Sequence, residues 1–375
     1  MRLLHVLPTF GIGGTELRVA SLINGLGPDL SHFILPLNGA TAAYAMLTHP
    51  KQAEIVPPPN RNGSLNYFLG LRRVLKSLSP ELLLTYNWGS IDAVIAARLG
   101  NVCPVILNEC GFGIDEAVHL NPKRMLTRRV LLNTIHTTIV VSSVLRDVAL
   151  NRYRIRPDKV RLIRTGVDTQ RFSPRPNPEL RARLSLPEGY LVFGYVGGLR
   201  PEKHPQFLMK AYAAARIPHS RLLLVGDGQE RTSLQHLAGD LAIENETVFA
   251  GMVSDTSPYF GAIDVFLMSS ATEQTPNALL EAMAAGLPAV CTDVGDIAEI
   301  LDCRSVPVIV KAGDLQGYVR ALKSLAASPS VRQQLGKTNR HRCLLNYSQE
   351  RMVQEYREAY FSALCPSGDP VTALL

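Results

Sequence analysis

The 375-residue sequence predicts an α/β protein made of two doubly wound domains, each built on a parallel sheet. Short apolar runs alternate with helical patterns along the whole chain, which is typical of parallel strands joined by helices. The runs form two series, and four prolines lie between them, the first at Pro174 and the last at Pro187. Because prolines interrupt regular structure, we place the domain boundary near residues 166–190.

The first series predicts a domain over residues 1–170, with the strand-like runs LLHVL, FILPL, LLLTY, VILN and TTIVV. The second series predicts a domain over residues 171–345, with the runs LVFGYV, RLLLVG, DVFLM, AVCT and VPVIV. A helical pattern at 349–364 lies in the segment 346–375, which we expect to pack back on the first domain. Ligands of such sheets bind at the carboxyl ends of the strands, so the cleft between the domains is the expected site.

Composition and cysteine usage indicate a cytoplasmic globular protein. Hydrophobic residues make up 46% of the chain and charged residues 19%, which is ordinary for this class. No apolar run approaches the length of a membrane span, and the first run is too short for a signal peptide. The six cysteines form no CxxC pair and have no His partner at zinc spacing, so we expect reduced thiols.

The net charge of +7 is concentrated in the first half of the chain, where residues 1–175 hold 21 Lys or Arg and 11 Asp or Glu. This half is predicted to meet an anionic membrane surface or a phosphorylated acceptor, although solvated helix faces are equally compatible with the pattern. Nucleic acid is disfavoured because the basic stretch lacks interleaved aromatic residues. The candidate basic residues are Lys123, Arg124, Arg128 and Arg129.

The stretch EQTPNALLE contains two carboxylates, Glu273 and Glu281, with seven residues between them. A helix is predicted over about residues 276–285. Thr275 is the expected cap, Pro276 suits the first turn, and Gly286 can end the helix in the left-handed conformation.

Helical rotation places large apolar residues on the side of this helix away from Glu281 and small residues on the Glu281 side. The large residues are Leu279, Leu280 and Met283, and the small face holds Asn277, Ala278, Ala284 and Ala285. The free amides of the first turn favour an anion such as a phosphate, and Glu273 precedes them. A glutamate pair taken alone is more often solvated, so the interpretation depends on the rest of the chain.

Three glycine loops follow strand-like runs, and their backbone amides can approach a ligand closely. The second loop also carries Arg200 and Lys203, two cations that can hold a diphosphate and neutralise a leaving group. The first loop does not fit the dinucleotide pattern GxGxxG. The glycines concerned are Gly11, Gly13 and Gly14, then Gly197 and Gly198, then Gly226 and Gly228.

With these motifs the chain resembles the GT-B family of retaining, nucleotide-sugar-dependent glycosyltransferases that carry a Glu-x7-Glu motif. The likeness is strongest over residues 248–299, and TGVDTQRFSP at 165–174 and GIGGTE at 11–16 are similar to further family signatures. It implies two Rossmann-like domains facing a cleft, and transfer of a hexosyl group to an acceptor hydroxyl with retention. It also implies that neither metal nor cofactor is needed.

The resemblance further implies a lipid-linked or saccharide acceptor in the synthesis of cell-surface polysaccharide, lipopolysaccharide or glycolipid. The expected location is the cytoplasm, with peripheral attachment to the inner face of the membrane. Two alternatives stay open: a sugar-nucleotide epimerase or a pyridoxal-dependent phosphorylase on the same architecture, and a catalytically silent nucleotide-sugar-binding subunit.

Site roles follow from the resemblance position by position. Glu281 would hold the ribose of the donor, Glu273 would lie near the transferred sugar, and Lys203 would bind the diphosphate. The predicted catalytic residues are Glu273, Lys203, Arg200 and Glu109. The predicted donor-binding residues are Gly13, Gly14, Gly198, Gly226, Gly228, Thr275, Pro276, Asn277, Ala278 and Glu281.

Two positions depart from the family pattern. Many relatives carry Arg where this chain has Gly198, so Arg200 is assigned the missing diphosphate contact. Many also carry a His where this chain has Cys110. Glu109 remains a candidate there, and further acidic and imidazole groups follow it at Asp115, Glu116 and His119. Cys110 is not predicted to be a nucleophile, since nothing cationic adjoins it in sequence to lower its pKa.

Overall fold

The computed structural model describes residues 1–60, 63–111, 121–302 and 308–364, and the chain divides into two compact units. Unit 1 contains residues 1–166 together with the segment that starts at Gln349, and unit 2 contains Val167–Ser348. The domain limits expected at 170 and 345 fall within a few residues of these divisions.

Each unit is built on a sheet whose named strands pair in parallel. The seven-stranded sheet of unit 1 has the order β3-β2-β1-β4-β5-β6-β7, and the six-stranded sheet of unit 2 has the order β10-β9-β8-β11-β12-β13. The strands of unit 1 are β1 Arg2–Leu7, β2 Ser31–Pro36, β3 Ala53–Ile55, β4 Leu82–Tyr86, β5 Val105–Glu109, β6 Thr137–Val140 and β7 Val160–Leu162. Those of unit 2 are β8 Leu191–Val196, β9 Ser220–Val225, β10 Thr247–Gly251, β11 Val265–Met268, β12 Ala289–Asp293 and β13 Ile309–Lys311.

Helices connect the strands in both units. In chain order they are α1 Gly14–Leu26, α2 Ser64–Leu78, α3 Ile91–Gly100, α4 Pro122–Leu131, α5 Ser143–Asp147, α6 Pro178–Arg183 and α7 Pro205–Ala215. The series continues with α8 Arg231–Asp240, α9 Ser257–Phe260, α10 Asn277–Ala284, α11 Ile297–Leu301, α12 Leu315–Ala327, α13 Pro329–Asn346 and α14 Gln349–Leu364.

The predicted fold class is confirmed: both units are doubly wound α/β structures. All ten apolar runs overlap observed strands, whereas β3, β7 and β10 were not predicted. Each of these three lies at the edge of its sheet. An edge strand pairs on one side only and is less completely covered, so its sequence does not need the continuous apolar run of a central parallel strand.

The proline-rich segment is part of unit 2 and not a free linker. Val167, Phe172, Leu180 and Leu186 are buried in the core of that unit. The expectation that the prolines exclude regular structure is wrong at α6, because Pro178 occupies the first turn, where its missing N–H costs nothing. The Asn177 side chain caps this helix by accepting from the Leu180 amide at 3.0 Å.

The last described helix, α14, packs in unit 1, where it contacts α1. Its Met352, Tyr356 and Tyr360 are buried in the same core as β1 and β4 residues. Because they are four residues apart, these side chains lie on one face of the helix. That apolar face packs into the core of unit 1, although the helix follows unit 2 in sequence.

Candidate active site

A polar cluster in unit 2 joins Lys203 to Glu273. The Lys203 ammonium donates a hydrogen bond to Oε1 of Glu273, and the Ser270 hydroxyl donates to the same oxygen at 2.7 Å. The Glu273 side chain is only 11% exposed, whereas that of Lys203 is 29% exposed. The ammonium therefore neutralises a mostly buried carboxylate while staying open to solvent on its other side.

Backbone contacts between two loops hold this cluster in place. One loop follows β8 and ends in a 3₁₀ turn over Pro201–Lys203, and the other follows β11. The Ser269 hydroxyl donates to the carbonyl oxygens of Lys203 and His204 at 2.9 Å each, and the Ala271 amide donates to the Glu202 carbonyl at 2.9 Å. Because β8 and β11 are neighbours in a parallel sheet, their carboxyl ends bring these loops together.

Helix α10 starts one residue later than predicted. Pro276 has ψ 115 and occupies the N-cap position, and no side chain caps the helix, so Thr275 is not the cap. An extended residue before Asn277 leaves Thr275 too far back along the chain for the N-cap contact. The predicted left-handed end is confirmed, since Gly286 has φ 74.

The two sides of α10 differ in part from the prediction. Leu279, Leu280 and Met283 are buried in the core, as the rotation implied. Ala284 and Ala285 are also buried, which corrects the expected small open face. That face is limited to the first turns of the helix, because the Arg340 guanidinium on α13 donates to the Ala284 carbonyl and covers the C-terminal end.

Glu281 lies in different surroundings from Glu273. Burial raises its pKa to about 7, Arg171 opposes the shift, and Asp255 adds to it. Arg171 and Asp255 form an ion pair of 2.8 Å. The two carboxylates of the motif therefore belong to separate polar clusters, one with Lys203 and one with the Arg171–Asp255 pair.

Arg200 extends over Gly198. A Cβ placed on Gly198 would lie 2.9 Å from Nε of Arg200, so this side chain occupies the space above the glycine. Among the residues that the structure describes, its guanidinium pairs with one acidic group, Glu202 at 3.9 Å, and the side chain is 61% exposed. The arrangement suits the diphosphate contact predicted for Arg200, because the cation is held near the loop yet is open to an anion.

Gly226 and Gly228 have a structural requirement that the sequence did not reveal. A Cβ on Gly226 would lie 2.0 Å from the Gly197 carbonyl oxygen, and one on Gly228 would lie 2.4 Å from the Leu199 carbonyl oxygen. The glycines thus let the loops after β8 and β9 pack backbone to backbone. This packing accounts for both residues whether or not either contacts a donor.

Gly295 is a residue near the site that sequence reasoning missed. It follows β12 with φ 58, and a Cβ there would lie 2.2 Å from the Glu273 carbonyl oxygen. The segment DVGD that contains it reads as an ordinary turn. A glycine two residues after a strand run, at the same sheet edge as the motif, is the signal that could have identified it.

In unit 1, Gly13 is the N-cap of α1 and makes no side-chain cap. The Glu16 carboxylate bends back over Gly13, where its Oε2 lies 2.5 Å from the position of a Cβ on that glycine. Burial raises the pKa of Glu16. Gly13 and Gly14 thus form a strand-end loop of the predicted kind, with an acidic side chain across it.

Glu109 is buried and paired with Arg128, which is also buried. Nε of Arg128 donates to Oε1 of Glu109 at 2.8 Å, and the guanidinium lies 4.8 Å from the ring centres of both Trp88 and Tyr153. Arg128 is therefore not available for the basic surface on which it was predicted. The carboxylate of Glu109 is engaged in the same contact, which leaves it poorly suited to the predicted catalytic role. Asp115, Glu116 and His119 lie outside the described residues.

Cys110 meets a cation that is distant in sequence. The Arg18 guanidinium donates to its Sγ and to the Thr165 hydroxyl at 3.5 Å. Arg18 on α1 thus supplies the cation that Cys110 lacks among its sequence neighbours. Burial nevertheless raises the pKa of the thiol, with Arg18 opposing, so the conclusion that Cys110 is not an activated nucleophile is unchanged.

Helix α4 carries the remaining basic candidates. Lys123 and Arg129 are exposed, and Arg124 is half-buried beside Trp88, with its guanidinium 5.4 Å from the ring centre. Leu126 and Val130 on the same helix are 62% and 63% exposed. Within the described ranges, no helix combines the length and apolar character that crossing a bilayer requires.

Two protein-family models match the chain. Residues 176–342 match the model described as "Glycosyl transferases group 1", and residues 12–171 match the one described as "Glycosyltransferase Family 4". Together they span most of unit 2 and most of unit 1. The chain belongs to the group 1 glycosyltransferases.

Two curated relatives of this group 1 glycosyltransferase are themselves named as glycosyltransferases. A lipopolysaccharide core biosynthesis glycosyltransferase, LpsE of Rhizobium meliloti, is 34% identical over 47% of this chain and 51% of its own length. A second relative, from Escherichia coli, is named UDP-Gal:alpha-D-GlcNAc-diphosphoundecaprenol alpha-1,3-galactosyltransferase. It is 25% identical over 82% of this chain and 83% of its own length. The first match thus spans about half of the relative, and the second most of it.

Solved structures share the fold. A crystal structure of Anabaena HepE in complex with UDP has a TM-score of 0.82 and 18% identity, covering 96% of this chain and all of that one. The sucrose-phosphate synthase of Thermosynechococcus elongatus has a TM-score of 0.81 and 20% identity, covering 98% and 100%. These likenesses confirm that the group 1 glycosyltransferase has the predicted GT-B type of architecture.

Proposed function

We propose that this chain is a retaining, metal-independent glycosyltransferase that moves a hexosyl group from a nucleotide-diphosphate sugar to an acceptor hydroxyl. One observation carries the proposal: Lys203, in the loop after β8, meets Glu273, in the loop that joins β11 to the uncapped start of α10. A cation and free helix amides suit the negative charge of a diphosphate, and a carboxylate suits the positive charge that develops on the sugar as its bond to the diphosphate breaks.

In this reaction Lys203 exchanges its partner. Before the donor binds, the ammonium is neutralised by Glu273. A diphosphate offers a stronger, doubly charged acceptor, so the ammonium turns toward it, with Arg200 and the α10 amides completing its coordination. These groups stabilise the charge that develops on the departing nucleotide without requiring a metal ion. Glu273, held by Ser270, stays beside the transferred sugar, and Glu281 accepts from the ribose hydroxyls.

A UDP sugar is the first donor to test. The Escherichia coli relative is named for transfer from UDP-Gal, and the HepE structures hold UDP, or UDP and glucose. The relatives named for lipopolysaccharide core synthesis and for a diphosphoundecaprenol acceptor support a lipid-linked or saccharide acceptor in cell-surface glycan synthesis.

Calorimetric titration with UDP, GDP and ADP sugars in the presence of a chelator tests donor binding. We expect one nucleotide class to bind, and Lys203→Ala and Glu281→Ala to weaken that binding about tenfold or more. Lys210→Ala, an exposed lysine on α7, is the matched control and should bind like the wild type. Absence of binding by every donor, or equal affinity of all variants, would contradict the proposal.

We further propose that α4 attaches the protein to an anionic membrane surface. Exposed Leu126 and Val130 stand on the same helix as Lys123 and Arg129, which combines apolar and cationic groups. Flotation with vesicles containing anionic lipid should recover the wild type but not a variant with Lys123, Arg124 and Arg129 changed to Glu. Arg183→Glu, an exposed arginine on α6, is the control. Equal flotation on neutral lipid would remove the electrostatic explanation.

A silent nucleotide-sugar-binding subunit is the second candidate, favoured by the closed Glu109–Arg128 pair and the Cys110 departure. Such a protein would bind a donor in the titration but release no nucleotide from it, with or without an acceptor. A sugar-nucleotide epimerase would convert the donor without releasing nucleotide, which product analysis in the same assay distinguishes.

A further inference from the structure

Asn87, directly after β4 in unit 1, has a backbone conformation that is rare for any residue other than glycine. Its φ is 55 and its ψ is 180. Ser79 and Asn101 also have positive φ, but their ψ values of 58 and 46 put them in the ordinary left-handed helical region at helix ends. Residues in the region of Asn87 are strained, and such strain is typically retained at functional sites.

Neighbouring groups hold Asn87 in this conformation from both sides. Its amide donates to the Asn108 carbonyl at 2.8 Å, and its carbonyl accepts from the Ser90 hydroxyl at 3.1 Å. Its side-chain Oδ1 accepts from the Cys110 amide at 2.7 Å. The segments after β4 and β5 are thereby joined through one asparagine.

The Cys110 contact also fixes the direction of the side-chain amide. A backbone N–H can only donate, so the atom facing Cys110 is the oxygen, and the NH₂ group points away. Within the part of the chain that the structure describes, Nδ2 donates to no protein group, and Asn87 is partly exposed. A strained residue thus presents a free, oriented donor at the carboxyl edge of the sheet.

We propose that Asn87 is a substrate-binding residue whose Nδ2 donates a hydrogen bond to a sugar hydroxyl. The inference rests on the proposed glycosyltransferase function. A neutral amide donor suits a neutral hydroxyl oxygen, whereas a phosphate would call for a cation, and Arg18, which contacts the neighbouring Cys110, is directed at its sulfur. The hydroxyl belongs either to the transferred sugar or to the acceptor, which the experiment distinguishes.

The test measures nucleotide release from UDP-glucose, UDP-galactose, GDP-mannose and ADP-glucose, in water alone and with octyl glycosides as acceptor probes. Asn87→Gly accepts the backbone conformation without strain but lacks both the donor and the oxygen that accepts from the Cys110 amide. Asn87→Asp keeps an oxygen for the Cys110 amide and replaces the NH₂. We expect kcat/KM to fall about tenfold in both variants, as for the loss of one hydrogen bond, while the melting temperature of Asn87→Gly is not lowered.

The pattern of loss assigns the hydroxyl. Reduced release in water places it on the donor sugar, and reduced release only in the presence of octyl glycosides places it on the acceptor. Asn101→Gly and Asn101→Asp, at an exposed helix end, are the matched controls and should leave release unchanged. Wild-type release by either Asn87 variant would overturn this inference alone, whereas no release by the wild type from any donor would overturn the proposed function with it.

Discussion

At the scale of single residues, the site depends on buried groups that hold the charged ones. Glu273 has two hydrogen-bond donors on a single oxygen, the partly exposed ammonium of Lys203 and the fully buried hydroxyl of Ser270. If Lys203 turns to a diphosphate, Ser270 is the donor that stays. We therefore regard Ser270 as the positioning residue for Glu273.

Ser270→Ala should lower kcat about tenfold with little change in donor KM, because the carboxylate loses its remaining donor once the nucleotide sugar is bound. Steady-state nucleotide release measures both constants. Ser270→Thr keeps a hydroxyl and should recover most of the activity, and Ser233→Ala, an exposed serine on α8, should have no effect. A change in KM alone would argue for a role in donor binding and against positioning.

Glu281 should make donor binding depend on pH. With a pKa of about 7, its carboxyl is mostly protonated near pH 6 and mostly ionised near pH 8. The ionised form accepts hydrogen bonds from both ribose hydroxyls, so affinity should rise by up to about tenfold across this interval. Titration of the wild type and of Glu281→Gln at both pH values measures it. If the donor affinity of the wild type changes as little between the two pH values as that of the variant, Glu281 does not bind the ribose.

At the scale of elements, the strand-end loops of unit 2 pack on one another through glycines. Gly226 and Gly228 join the loop after β9 to the loop after β8, and Gly295 joins the loop after β12 to the backbone of Glu273. The position of the motif carboxylate therefore depends on a neighbouring loop as much as on its own helix.

Gly295→Ala should lower kcat about tenfold or more. Its Cβ would collide with the Glu273 carbonyl, and its positive φ disfavours alanine, so the Glu273 loop must shift. Nucleotide release and calorimetric melting measure the effect. Gly313→Ala shares the positive φ, 85 against 58, but meets no atom within 4 Å, so it should lose some stability and keep its activity. Equal activity of the two variants would disprove the role of the contact.

At the scale of the whole molecule, each unit has its own core, and the core of unit 1 contains a buried polar chain. His5 contacts the Tyr86 hydroxyl through Nδ1 and His32 through Nε2, each at 2.9 Å. Burial lowers the pKa of His5 and lowers that of His32 to about 4, with the N-terminal amine contributing to the second shift. Both rings are therefore neutral at physiological pH.

Unit 1 should lose stability in mild acid. The unfolded chain binds a proton at His32 near pH 6.5 and the folded chain only near 4, so stability is present above 6.5 and falls as the pH drops to 4. The shift corresponds to about 3 kcal/mol. Trp88 is the single tryptophan and lies in unit 1, so its fluorescence during urea unfolding reports on this unit.

A His32→Gln variant should show a smaller loss between pH 7 and about pH 4, because one of the histidines with a lowered pKa is gone. His49→Gln, an exposed histidine of the same unit, should behave like the wild type. If His32→Gln loses as much stability as the wild type over this range, other groups account for the acid sensitivity.

Most of the fold could be predicted because it is recorded locally. Each central strand contains an apolar run, and Gly286 and Pro288 mark the end of α10. The edge strands β3, β7 and β10 were missed because partial cover relaxes that pattern. The candidate site was recognisable at Lys203, Glu273 and Glu281, whose spacing and neighbours carry the family resemblance.

Pairing between distant residues could not be predicted. Arg128 is predicted on a basic surface and Glu109 as a catalytic residue, yet the two are buried against each other. Cys110 has no cation beside it in sequence, although Arg18 contacts the thiol across 92 positions of the chain. Such contacts follow from which strand ends and helices share an edge of the sheet, and a local pattern does not encode that.

The sequence by itself determined the two α/β units, the group 1 glycosyltransferase family and the Glu-x7-Glu helix, because apolar periodicity, caps and motif spacing are short-range properties. Only the tertiary structure decided which charged side chains stay exposed to solvent and which are neutralised by a partner of opposite charge. In the folded chain Lys203 forms a hydrogen bond with Glu273, and Glu109 is paired with Arg128. Asn87 adopts a strained backbone conformation. Charge, desolvation and backbone strain depend on neighbours brought together by folding, and so they were settled by the packed chain.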